Sequence, residues 1–184
     1  VDGGALTASS LTVNANNSTG IFSANGSGAY GSQAAIGAAF LVQVSSNRTL
    51  AYVGDEFRYQ GNGAPHTTAL NLSGALDVEA KTKNRFEAYA IGGALSTGTA
   101  AIAGMANIEV ANNTTIAGVY DTTLQGVTGG AAGAVTINAN EDVAIKEIAG
   151  ALALGASGAG VGVGAAANVI AFKSRTVAES WNSN

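Results

Sequence analysis

GALALGASGAGVGVGAAANVIAF, residues 150–172, is the stretch whose reading decides the fold. No charged residue lies between Glu147 and Lys173, and those 25 residues are long enough to cross a bilayer as a helix. Gly158 and Gly162 even have the spacing of paired membrane helices. But glycine crowds the segment, at positions 150, 155, 158, 160, 162 and 164, and each costs a helix about 1 kcal/mol relative to Ala. A phosphate-cradling loop is the second option. It needs Gly-x-Gly-x-x-Gly opening a helix, or Gly-Lys-Ser/Thr, and neither is present. A strand is the third option. From Gly160 to Ala165, Val161, Val163 and Ala165 share one face and Gly160, Gly162 and Gly164 the other. β-Branched residues favour strands, and a glycine face lets another backbone come close. The strand reading is adopted, with packing as the purpose of the stretch.

The surrounding chain repeats the same logic. Leu11-Thr12-Val13-Asn14-Ala15 recurs as Leu76-Asp77-Val78-Glu79-Ala80 and as Val135-Thr136-Ile137-Asn138-Ala139. Ala34–Ala38 is followed in the same order by Ala100–Gly104 and by the Gly160–Gly164 region. Thr49-Leu50-Ala51, Thr115-Ile116-Ala117 and Thr176-Val177-Ala178 close the copies. Three anchors in one order, three times over, describe three imperfect repeats at about 11–53, 76–119 and 135–180 within a single segment, 1–184. Each anchor alternates with period two, so the chain is expected to be all-β. A parallel β-helix, or solenoid, fits best, with a β-sandwich as the alternative. Leu11, Val13 and Ala15 and their equivalents in the other copies should point inward, into an interior narrow enough for Ala and Gly. Coils of about twenty residues, three per copy, are expected by analogy with such folds. Asn47-Arg48, Asn112-Asn113 and Ser174-Arg175 read as turns before the third anchor.

Composition excludes several functions. Charged residues are 11% of the 184, the net charge is −4, and the eight Lys and Arg form no basic stripe for nucleic acid. Cysteine is absent, which removes disulfides, thiolate zinc sites and a thiol nucleophile. No calcium-loop motif occurs, and no metal or cofactor is expected. No signal peptide opens the chain. The carboxylate pairs Asp55-Glu56 and Glu141-Asp142, and the Asn-x-Ser/Thr sites at Asn16, Asn17, Asn25, Asn47, Asn71, Asn112 and Asn113, read as solvated turn and surface residues. His66, the single histidine, sits in a loop without an evident nucleophile and orienting partner. The aromatic–cationic set Phe57, Arg58, Tyr59, with His66, lies in the segment Gly54–Gly74 and makes the candidate contact loop. Trp181 suits the cap of an exposed edge.

The third copy, GAVTINANEDVAIKEIAGALALGASGAGVGVGAAANVIAFKSRTVAES (133–180), resembles the repeat units of leukotoxin-type filamentous adhesins, giant bacterial exoproteins related to filamentous haemagglutinins. Val135–Ala139, Ala149–Gly164 and Thr176–Ala178 match their alternating strand, glycine-rich segment and Thr-x-Ala strand; the first two copies match more loosely. The resemblance implies a right-handed parallel β-helix, export, cell-surface display and adhesion to host or bacterial receptors, and it carries no catalytic residues. It places export signal and anchor outside these residues. The expected function is thus a non-catalytic shaft segment of a larger secreted adhesin. A self-assembling filament subunit, associating through strand edges, is the alternative. A β-helical polysaccharide-active enzyme is less favoured, because twelve acids and eight bases are dispersed over three copies. No membrane span is expected.

Overall fold

A computed structural model describes residues 3–55, 66–127, 130, 133–158 and 160–184. Among them are nine strands and no helix: β1 (Ala5–Ala8), β2 (Leu11–Gly31), β3 (Ala34–Gly54), β4 (Thr68–Leu72), β5 (Leu76–Ser96), β6 (Ala100–Tyr120), β7 (Thr122–Gln125), β8 (Val135–Gly155) and β9 (Val161–Trp181). They form three parallel sheets ordered β1-β4-β7, β2-β5-β8 and β3-β6-β9. The fold is a parallel β-solenoid of three rungs. The anchors lie in register, Leu11 on Leu76 on Val135, and Ala34 on Ala100 on Val161.

Each copy is one rung, not three coils. The six long strands have 21 residues each, about 70 Å of extended chain. A two-residue arc, Ser32-Gln33, joins β2 to β3, so the two long sheets run in opposite senses and face one another. The segments expected as turns lie inside these strands. Asn47 stacks on Asn113 and Ser174, in mid-strand. A third, short sheet, β1-β4-β7, which sequence reasoning missed, is built from the segment before the first copy and the two linkers between copies. The corner leaving the long sheet is left-handed at Asp121 and Asn182 (φ 44° and 48°), and the Asn182 amide donates to Asp121 Oδ1 at 2.6 Å. Asp and Asn tolerate this conformation better than other non-glycine residues do.

The interior has three zones. At the wide end Leu70, Leu72, Leu76, Val78, Ala80, Ala51, Val53, Ala117 and Val119 form the apolar core, with Leu11, Val13, Ala15, Ile137 and Ala139 packed against it. Eight of the nine positions expected to point inward are in this cluster; Val135 is 48% exposed. The middle zone is polar. The far end is a thin tip where Ala35, Ala94, Ala101 and Ala103 meet Ala29, Ala151 and Ala153. There the stretch 150–172 resolves into the end of β8, an arc and the start of β9.

Its glycine face points inward and its valines outward. A Cβ on Gly162 would collide with the carbonyl of Ala153 on the opposite sheet, whereas Gly150 has open space. Gly162→Val is expected to lose about 1–3 kcal/mol by overpacking, read from urea unfolding, with Gly150→Ala costing nothing. Equal behaviour of the two would mean that the sheets do not close at the tip.

Candidate functional site

Phe57, Arg58 and Tyr59 of the candidate contact loop lie outside the described residues. His66 is exposed, and its backbone N–H donates to Asp55 Oδ2 at 3.1 Å; Asp55 itself is buried.

The middle zone of the interior collects the polar chemistry. Thr115 donates to Thr82 (2.6 Å) and Thr82 to Thr49 (2.7 Å), so hydroxyls chain across the two sheets. The Asn47 amide donates to Asn84 and Asn113 Oδ1, both at 3.3 Å, and Thr19 donates to Asn47. Glu141 accepts from Asn113 Nδ2 (2.7 Å), from Thr176 (2.9 Å) and from Ser174. Asn17, Asn25, Asn47, Asn113 and Glu141 are therefore interior residues, not solvated turns. Most of these buried amides and hydroxyls find a partner on the facing sheet or the next rung, while Asn84 Nδ2 has none among the described residues.

Deeper toward the tip that satisfaction fails. Glu109 is 1% exposed and lies in register with Gln43 and Ile170. Both carboxylate oxygens of Glu109 and of Glu147, and both polar atoms of Gln43, lack a hydrogen-bond partner among the described residues. Burial pushes the Glu109 carboxyl up to about 7, and the negative charge of Glu147 pushes the same way. Burial also raises Glu147. Sequence reasoning missed both groups, although each shares the parity of neighbouring inward residues, Ala111 and Ala149.

The outer faces divide sharply. On β5 the outward residues Asp77, Glu79, Lys81, Lys83, Arg85 and Glu87 make a charged strip, flanked by Asn14, Asn16 and Ser18 of β2 and by Asn138, Asn140 and Asp142 of β8. Glu79 pairs with Lys81 at 2.7 Å and accepts from Asn138, which holds its carboxyl below the ordinary value. The strip ends where Lys146 sits 5.4 Å over the Tyr89 ring, which touches Phe22. Beyond it both outer faces are apolar up to the tip. On the β3-β6-β9 sheet the apolar part runs from Ala34 to Val44 and through the residues paired with them, and includes Ile36 at 71% exposure and Val44 at 70%.

Among the described residues no group of three or more His, Cys, Asp or Glu is placed to hold a metal ion, and no helix is long and apolar enough to cross a membrane. Compared with known proteins, the chain matches no family model, no curated protein and no solved structure.

Proposed function

We propose that the chain is a non-catalytic shaft segment of a secreted, cell-surface adhesin of the filamentous type, with receptor contact falling to the segment Gly54–Gly74. One observation carries the shaft reading. In the third rung the inward residues Val135, Ile170 and Phe172 are 48%, 51% and 42% exposed, while Leu76, Glu109 and Ala111, their register partners in the middle rung, are each 1% exposed. A rung completes its core only when another rung lies on each side. The surface charges support the absence of catalysis. On the charged strip the Glu79 carboxyl is held low, the wrong direction for a general acid. The acids that are raised, Glu109 and Glu147, are shut between the sheets.

A filament subunit is the second reading, favoured by the equal strand lengths. β2 and β3 of one copy match β8 and β9 of another residue for residue, and open parallel edges recruit strands. Electron microscopy over a concentration series, with circular dichroism alongside, separates the two. Short rods with a β spectrum support the shaft, and Arg58→Ala should then weaken cell binding. Long ordered fibres from purified chain move the function to the edges. A helical spectrum overturns both.

A further inference from the structure

We propose that the apolar outer face of the β3-β6-β9 sheet is a pairing surface for a second copy of this chain, packed face to face with its strands reversed. The inference is independent of the shaft reading, which concerns strand edges. The face begins at Ala34, Ala100 and Val161 and ends at Val44, Val110 and Ala171. Every outward residue between is apolar: Ile36, Ala38, Phe40 and Val42 on β3, then Ile102, Gly104, Ala106 and Ile108 on β6, then Val163, Ala165, Ala167 and Val169 on β9.

Three observations choose the occupant. First, β3 opens with the unbroken apolar run AAIGAAFLV (34–42). Such a run marks a strand covered on both faces, and the opposing sheet covers only one. Second, the face measures about 36 Å by about 14 Å, on the order of 500 Å² per copy. Two such faces bury about 1,000 Å², the lower bound of a specific interface, and every further rung adds to it. Third, the charges set the orientation. Past the apolar part the same face carries Arg48, Lys173 and Arg175 against the single carboxylate of Glu179. Strands laid in the same sense would stack these cations on their own copies. Reversed strands overlap only the apolar ends and carry the cations of each copy beyond the tip of the other, about a two-fold axis along the solenoid. A bilayer is the weaker occupant, since lipid leaves the free N–H and C=O groups of the outer strands unpaired. The apolar end of the opposite sheet is shorter and interrupted by Gly26, Gly28, Gly93 and Gly150.

The absence of cysteine makes the test direct. Single-cysteine variants of the full chain are treated with a short bismaleimide. Ala106→Cys lies near the proposed axis, Ala100→Cys at the end of the face and Ser46→Cys beyond it. The expected result is a covalent dimer from Ala106→Cys at a yield at least about tenfold above the other two. Sedimentation should show a concentration-dependent dimer that Ile108→Lys abolishes with an unchanged β spectrum. Equal yields from Ala106→Cys and Ala100→Cys overturn the reversed orientation. Yields from Ala106→Cys no higher than from Ser46→Cys overturn the pairing, even where end-to-end stacking raises the mass. Binding to phosphatidylcholine vesicles by a chain that stays monomeric assigns the face to lipid and overturns it as well.

Discussion

Replacing Phe86 by Ala is expected to lower stability by about 3–5 kcal/mol. Phe86 is 1% exposed, on the inward side of the middle rung, and stands between Ile21 and Ile145 in register. The facing sheet is tied through the Asn and Thr ladder beside it and cannot collapse into the cavity. Urea unfolding followed by circular dichroism should show the midpoint falling by about 2 M with an unchanged slope. Phe22→Ala is the control. That ring lies on the outer face of β2, 69% exposed and touching Tyr89, and its loss should stay within about 0.5 kcal/mol. A register slipped by one residue would exchange the faces and reverse the two results.

The second large effect is a stability that declines from mildly acid to neutral pH. Glu109 titrates at about 7 in the folded chain, chiefly because it is desolvated and then because Glu147 is near. In the unfolded chain it titrates near 4.5. Between these values the folded state holds a proton that the unfolded state has released, so raising the pH favours unfolding. Below about 4.5 both states are protonated and the group is neutral to stability. Above about 7 the penalty is complete, on the order of 3 kcal/mol, and Glu147 adds to it in the same direction. Glu109→Gln keeps the shape and removes the charge. The difference in unfolding free energy between Glu109→Gln and the parent chain, measured from pH 4.5 to 8, should rise through this window in favour of Gln. A flat difference would mean that Glu109 meets water or a cation in solution.

The fold was legible where the sequence repeats and less so where it does not. Period-two alternation at Leu11–Ala15 and its equivalents placed eight residues in the core, because one face of each strand is buried against the next sheet. Val135, the first residue of β8, stays outside that cluster. Rung length was misjudged for a physical reason. Asn47, Asn113 and Ser174 are turn formers in a chain surrounded by water, but between two sheets their side chains bond to Asn84 and Glu141 and continue the strand. The same misreading placed Glu141-Asp142 in a turn when both lie within β8. At residues 160–165 both the alternation and the close approach of a backbone to the glycine face were legible, and Gly162 and Gly164 do meet the opposite strand while Val161 and Val163 stay exposed. The buried carboxylates were hidden by sparse charge, which made Glu109 and Glu147 look incidental.

The equal 21-residue strands also have a mechanical consequence. Stacked into the proposed shaft, rungs about 70 Å wide and two sheets thick, roughly 10 Å between sheet planes, would make a ribbon. Flexural stiffness grows with the cube of the dimension lying in the plane of bending. Such a ribbon yields readily across its thin direction and resists bending across its width by a factor of roughly fifty. Tension along its axis loads every backbone hydrogen bond between two rungs at once, so it would strain as a sheet and fail abruptly rather than unzip.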